Sequence, residues 1–246
     1  MEYLPNGLTL DIPEGCFPLS TDSMSLAEFV KLPKNAKVLD IGSGCATLGI
    51  LLCSKDSSCH VTGFEISDSA HHGALDNIRN NELEHRLVSN NADVRMLRQL
   101  IAPGSFSVCV ANPPYFSGGP ASSLHKDARR EDTLTPEDLM QGAAWALKTG
   151  GDLFVVHRPE KLAQLIALGT REGLESKRLR LVRHREDGPV SLILLQMRKG
   201  AKPGLVLEEA SLHTADGRKS EYYQMIYHHK EAYDGRNVIS CTDTDR

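Results

Sequence analysis

Asn112-Pro113-Pro114-Tyr115 brings together, in four residues, two hydrogen-bond acceptors, a stiffened backbone and a flat ring. The tetrad ends the apolar run of "SVCVANPPYFSGG". The side-chain oxygen of Asn112 and the carbonyl of Pro113 can each accept one hydrogen of an NH2 group. The two prolines remove NH donors and fix the carbonyl direction, and Tyr115 offers a face for a planar group. An amine attached to a base, or the nitrogen of a carboxamide, has its lone pair delocalised and is a poor nucleophile. Acceptors that hold it and stabilise the positive charge it gains on reaction supply what such a nitrogen lacks. Positioning of this kind is worth about 7 to 11 kcal/mol of barrier, so neither a metal nor a covalent intermediate is required. The same tetrad also suits a plain strand terminator, because neither proline can extend a sheet or a helix.

A second group lies upstream. In "VLDIGSGCATLG", Gly42 and Gly44 follow an apolar run and precede a helical one, where a tight turn lets backbone NH groups approach a ligand. A dinucleotide loop of the G-x-G-x-x-G kind would place glycine at Thr47, so a nicotinamide cofactor loses support. The small residue falls at Ala46 instead, next to the bulkier Cys45. Glu65 closes the next strand-like run, and Asp93 follows the one after, where it serves either as a ligand to a cofactor or as the N-cap of the "VRML" helix. Asp40 orders the loop or meets a ligand.

These residues need a scaffold that brings several strand ends to one edge. From Lys37 onward, short apolar runs alternate with helical patterns, which predicts an α/β fold with a parallel sheet and crossover helices. "KVLDI", "HVTGFEI", "HRLVSNNAD", the run before Asn112 and "DLFVVH" read as five strands. Helices are expected in "ATLGILLCS", "DSAHHGALDNIRNN", "VRMLRQLI", "TPEDLMQGAAWALKTGG" and "RPEKLAQLIALGTREG". The fourth of these carries Thr135 as N-cap, Pro136 in its first turn and glycines at its end. "SKRLRLVRH" and "PVSLILLQMRKG", joined by "REDG", read as an antiparallel edge hairpin that brings the sheet to seven strands. The expected organisation is a single domain over 1–246: an N-terminal extension (1–35), a core (37–198) and a C-terminal cover segment (200–246), read as a cover or a hairpin.

Composition narrows the partner classes. The 246 residues are 40% hydrophobic and 24% charged with a net charge of -4, which is ordinary for a soluble domain and does not advertise nucleic-acid binding. No apolar run approaches a membrane span, and the amino terminus lacks the basic start and apolar centre of a secretory signal, so the expectation is a cytoplasmic protein without a membrane partner. The six cysteines form no CxxC pair, which argues against zinc and a disulfide framework. His157, His228 and His229 are read as structural, and Tyr222, Tyr223 and Tyr227 as core of the tail rather than RNA-stacking rings.

The D-x-G-x-G-x-small spacing resembles the first motif of Rossmann-like class I methyltransferases that use S-adenosylmethionine, and N-P-P-Y resembles the motif of those acting on amino nitrogens of adenine, cytosine or glutamine amides. The resemblance implies cofactor contacts from Asp22, Asp40, Gly42, Gly44, Glu65, Ile66, Asp93 and Asn112, with Glu65 on the ribose hydroxyls and Asp93 on the adenine amine. It implies a reacting site at Asn112, Pro113, Pro114 and Tyr115, and no metal. Release-factor glutamine methyltransferases carry a helical domain ahead of the first motif, and about 35 residues leave no room for one. Adenine is therefore favoured over a protein glutamine.

Across most of the chain, "LSTDSMSLAEF", "NPPYF", "ARRED", "VHRPEKLAQLI", "KRLRLVRH", "RKGAKPGLVLEEASL" and "YYQMIYH" are similar to the bacterial tRNA1(Val) adenine-37 N6-methyltransferase family. That resemblance implies tRNA as the partner, with no obligate protein partner, and places Thr21 beside Asp22 near the methionine end of the cofactor. Adenine in DNA or rRNA, and a non-catalytic cofactor-binding scaffold, stay open as other readings. Lys126, Arg129 and Arg130 after the tetrad, and Arg178 and Arg180 on the edge hairpin, are the candidate phosphate contacts.

Overall fold

The apolar runs pair because their β-branched and large side chains can be buried on both faces of a parallel sheet. A computed structural model of the chain describes residues 2–4, 7–113, 134–228 and 239–240. Two short strands, β1 (Glu2–Tyr3) and β2 (Thr9–Leu10), form a pair of their own. The main sheet holds β3 (Lys37–Ile41), β4 (His60–Glu65), β5 (Leu87–Asn91), β6 (Phe106–Ala111), β7 (Leu147–His157), β8 (Leu174–Arg185), β9 (Val190–Lys199), β10 (Val206–His213) and β11 (Ile239–Ser240). Their order is β11-β10-β8-β9-β7-β6-β3-β4-β5. Strands β3 to β7 are mutually parallel, and β9 runs antiparallel to both β7 and β8.

The seven expected strands are β3 to β9, with the β8–β9 hairpin in place. Among the described residues the sheet nevertheless has nine. The segment after Gly200 supplies β10, which pairs in parallel with β8 from Val206–Arg178 to His213–Arg185, and β11 pairs antiparallel with β10. The extra strand was hidden because Glu208 occupies an inward position beside Ala210 and Leu212, which disguises the apolar alternation of "VLEEASLH". The helix after Thr135 also ends earlier than its glycines suggest. It stops at Ala146, and Gly150 and Gly151 lie instead in an irregular start to β7, where Gly151 packs so closely on the Ser107 carbonyl that a Cβ would sit 3.0 Å from it.

Helices cover both faces. On one, α1 (Thr21–Phe29), α2 (Thr47–Lys55), α3 (Asp68–Asn80) and α7 (Glu221–His228) bury Leu26, Phe29, Ile50, Leu52, Ala74, Ile78 and Tyr222 against Val38, Val61, Val110, Phe154 and Leu194 of the sheet. On the other, α4 (Leu97–Leu100), α5 (Pro136–Ala146) and α6 (Leu162–Arg171) bury Leu97, Leu139, Met140 and Leu165 against Leu39, Ile41, Cys109, Leu153 and Leu195. Neighbouring residues of one strand therefore enter different cores, as period-two alternation requires. Thr135 caps α5 with a complete capping box, accepting from the Asp138 NH at 3.1 Å while the Asp138 carboxylate accepts from the Thr135 NH at 3.1 Å.

The N-terminal segment is tied along α3. Asn81 accepts from the Thr9 NH at 2.8 Å and returns a bond to the Thr9 carbonyl at 2.8 Å. One turn earlier, Asn77 does the same for Asp11 at 2.7 and 2.8 Å. Among the described residues no helix is long and apolar enough to cross a membrane.

Candidate active site

Strand β3 is flanked by β4 on one side and β6 on the other, so the chain reverses its direction of travel across the sheet there. In open α/β sheets the crevice at the carboxyl ends beside such a switch point is where ligands bind. The residues singled out from sequence converge on it. Gly42 and Gly44 lie in the turn leaving β3, Glu65 ends β4, Asp93 follows β5 and Asn112 follows β6.

The turn itself is left-handed at three positions: Gly42 (φ 73°), Gly44 (φ 53°) and Ala46 (φ 66°). A non-glycine residue in that region costs roughly 1–2 kcal/mol, so Ala46 carries a strain that glycine would relieve. Both Gly42 and Ser43 donate their backbone NH groups to the Phe64 carbonyl at 3.0 Å, which pins the turn to β4. A Cβ at Gly42 or Gly44 would meet nothing within 4 Å, so open space lies beside the loop. Gly63 has the opposite reason for being glycine: a Cβ there would sit 2.6 Å from the Ser43 hydroxyl, and the loop packs down only because it is absent.

Glu65 bridges the loop to the next helix. One carboxylate oxygen accepts from the Gly44 NH at 2.9 Å and the other from the Ser67 NH at 2.8 Å. Each oxygen keeps a further lone pair for a hydroxyl hydrogen. Ile66 follows, 44% exposed, an apolar side chain presented at the sheet edge. Asp93 has the N-cap geometry foreseen as one of its two readings. It caps the short 3-10 turn Val94–Met96, and Arg95 donates to both of its oxygens at 2.9 to 3.0 Å through Nε and at 2.6 Å through Nη2. Those bonds hold the Asp93 carboxyl below the usual range, with the Arg95 side chain as the largest cause.

Asp40 behaves differently from the other acids. It is 1% exposed, and neither carboxyl oxygen has a hydrogen-bond partner among the described residues. Burial, reinforced by the nearby Glu65 charge, pushes it up to about 7, while the Gly49 amide pulls weakly the other way without reaching hydrogen-bond geometry. The buried Ser43 hydroxyl, three residues on, is likewise without a partner among the described residues. A loop with unclaimed buried oxygens and open space beside two glycines has the character of a site completed by a polar ligand.

Asn112 and Pro113 sit half-buried at the end of β6. The Asn112 Nδ2 donates to the Ser23 hydroxyl in α1 at 2.9 Å. Asp22 stands beside Ser23 in the first turn of the same helix, and Thr21 shares a 2.7 Å hydroxyl–hydroxyl bond with Tyr227 of α7. Pro114 and Tyr115 lie outside the described residues, as do Lys126, Arg129 and Arg130. His157 is buried and accepts from the Arg158 NH through Nδ1 at 2.8 Å, and burial holds it down to about 4, so it stays neutral.

The two hairpin arginines require a correction. Arg178 and Arg180 do not form a basic face for phosphates. Both turn inward, with side-chain exposures of only 12% and 4%, and share Glu208 of β10 at 2.8 and 2.7 Å. Arg180 also pairs with Glu28 of α1, and both guanidiniums lie over the Phe29 ring, at 4.2 and 5.1 Å. They bind helix α1 to the sheet because β10, unseen in the sequence, delivers a carboxylate directly opposite them.

Two positioning groups escaped sequence reasoning. Asn77 donates to the Cys45 carbonyl at 3.1 Å as well as to Asp11, so it steadies the glycine loop from α3. Its signal, asparagines four apart on one helix, is visible only once the neighbours are known. Ser23 is the other, and nothing local relates it to a residue 89 positions away.

A family model for the methyltransferase small domain matches residues 19–170, well over half of the chain. A tRNA1(Val) (adenine(37)-N6)-methyltransferase from Photobacterium profundum is 29% identical over 188 residues, covering 74% of this chain and 78% of its own. One of the same name from Vibrio campbellii is 27% identical over 216 residues, covering 86% and 88%. Among solved structures, a predicted O-methyltransferase from Agrobacterium tumefaciens superposes with a TM-score of 0.71 at 19% identity over 84% of this chain and 95% of its own. A methyltransferase from Pyrococcus furiosus follows the same fold with a TM-score of 0.59 at 22% identity, covering 80% and 91%.

Proposed function

Because this chain belongs to the methyltransferase small-domain family, we propose that it transfers a methyl group from S-adenosylmethionine to the N6 amine of adenine in RNA, with adenine 37 of valine tRNA as the acceptor. The observation that carries the reading is the position of Asn112 and Pro113 at the end of β6, directly beside the glycine turn of β3. The names borne by relatives that align over most of their length support the acceptor. In this reading the whole chain, 1–246, acts as one catalytic unit in the cytoplasm, and tRNA is its partner.

The cofactor fits the residues present. Gly42 and Gly44 leave room beside the turn, Glu65 offers lone pairs to two ribose hydroxyls, and Ile66 and Asp93 flank the place for adenine. In this reading Asp40 and Asp22 serve the amino-acid end of the cofactor. When bound, S-adenosylmethionine supplies an electrophilic methyl carbon on a positively charged sulfur. The protein's own part is to present the nucleophile. Asn112 Oδ1 and the Pro113 carbonyl take the two amine hydrogens, Tyr115 stacks on the base, and Pro114 stiffens the shelf. The amine nitrogen becomes strongly acidic once alkylated, so its proton leaves to water without a dedicated base. An anticodon-loop base is already partly unstacked, which lowers the cost of placing it on the shelf.

Transfer of tritiated methyl to bulk tRNA, DNA and protein tests the assignment. Label in N6-methyladenine of tRNA is expected. Label only in protein glutamine, or in none of the three, would overturn it. Asn112→Ala should lower turnover about a hundredfold while leaving cofactor binding nearly intact, the scale of one lost transition-state hydrogen-bonding group.

A further inference from the structure

We propose that Ser23 is a positioning residue that decides which way round the Asn112 amide lies, an inference that rests on the amine-methylation reading above. The two ends of a carboxamide have nearly the same shape but opposite hydrogen-bonding character. With its oxygen towards the substrate, Asn112 accepts an amine hydrogen; with its nitrogen there, it opposes N–H against N–H and repels the group it must hold. A side chain at the end of a strand needs an outside partner to select between them.

Ser23 is placed to be that partner. It is 6% exposed in the first turn of α1, and its hydroxyl receives the Asn112 Nδ2 at 2.9 Å. Ser20, the N-cap, accepts the Ser23 backbone NH at 3.4 Å, and the two serine hydroxyls lie 3.5 Å apart. With the Ser23 proton directed at Ser20, the Ser23 oxygen is an acceptor facing Asn112, and the amide nitrogen is the end that satisfies it. The amide oxygen is thereby turned away from α1. The cap of α1 thus has a second use, because it orients a hydroxyl that orients the amide. Helix α1 is itself held in place by the Glu28–Arg180 pair and by Lys55, whose ammonium donates to the Ala27, Glu28 and Val30 carbonyls at 2.9, 2.6 and 2.6 Å.

The test measures kcat for methyl transfer to bulk tRNA and KM for S-adenosylmethionine in the wild type, Ser23→Ala, Ser23→Thr, Asn112→Ala and the Ser23→Ala/Asn112→Ala double variant. Ser23→Ala should lower kcat about three- to tenfold, the value of one neutral hydrogen bond, with KM for the cofactor unchanged. Ser23→Thr, which keeps the hydroxyl, should restore most of the loss. In the Asn112→Ala background Ser23→Ala should cost nothing more, since its route to the reaction is through the amide. The same loss in both backgrounds would mean a structural effect and would overturn the inference, as would an unchanged kcat in Ser23→Ala. If the threonine methyl prevents folding, the comparison of backgrounds still decides. A wild-type protein that labels no RNA removes the underlying reading, an outcome distinct from an active wild type indifferent to Ser23.

Discussion

Replacing Asp40 by asparagine should make the ligand-free protein more stable, and increasingly so as pH rises. The carboxyl is 1% exposed with no hydrogen-bond partner among the described residues, and it titrates near 7 in the folded protein against 3.8 when unfolded. The folded state therefore holds the proton more tightly. Below the unfolded value both states are protonated and nothing is lost. Between 3.8 and about 7 only the unfolded chain gives up its proton, so stability falls as pH rises through that window, and above it the loss is constant. Each pH unit of the window is worth about 1.36 kcal/mol, so the wild type should lose about 2.7 kcal/mol between pH 5 and pH 8 on account of this one group. Asparagine has the same shape and no charge to desolvate. Urea unfolding of both proteins across that range should give curves that diverge by this amount, with the variant above. Glu65→Gln, which removes the neighbouring charge, should shrink the divergence. Curves that stay parallel would show that Asp40 is ionised in the folded protein at no cost, and the account of its burial would be wrong.

Glu208→Ala removes the carboxylate that the buried Arg178 and Arg180 share and should destabilise the fold by about 3–5 kcal/mol in chemical denaturation; a loss under about 1 kcal/mol would mean that the remaining bonds, from Arg180 to Glu28 and from Arg178 to Gln196 and the Phe29 carbonyl, suffice. Thr135→Ala removes one half of the capping box of α5 and should cost about 1 kcal/mol by the same measurement, with no effect specific to catalysis. Binding of tRNA, followed by fluorescence anisotropy, should weaken steeply between 50 and 200 mM salt, and a flat response would exclude phosphate contacts as the source of affinity.

The core of the sheet was legible because each of its strands is a local pattern. "KVLDI" and "SVCVA" are short apolar runs bounded by turn residues, and such runs form strands whatever lies beside them. The site residues were legible for a related reason: a glycine that must turn left-handed, or two prolines that must stop a strand, declares itself within a few positions. β10 was not legible, since Glu208 looks like a surface residue until Arg178 and Arg180 are known to lie across from it. The same ignorance misplaced the two arginines on a binding face. A charge in a sequence carries no record of whether its partner is a phosphate or a glutamate.

By itself, then, the sequence determined which strands run in parallel, where the glycine turn and the N-P-P-Y shelf fall, and what chemistry those residue types suit, because all of these follow from neighbours along the chain. The tertiary structure alone decided that Asp40 is buried without a hydrogen-bond partner among the described residues, that Asn77 steadies the glycine loop, and that Ser23 faces Asn112. Those are properties of residues brought together from distant positions, and burial, desolvation and hydrogen-bond direction exist only once the surrounding atoms are in place.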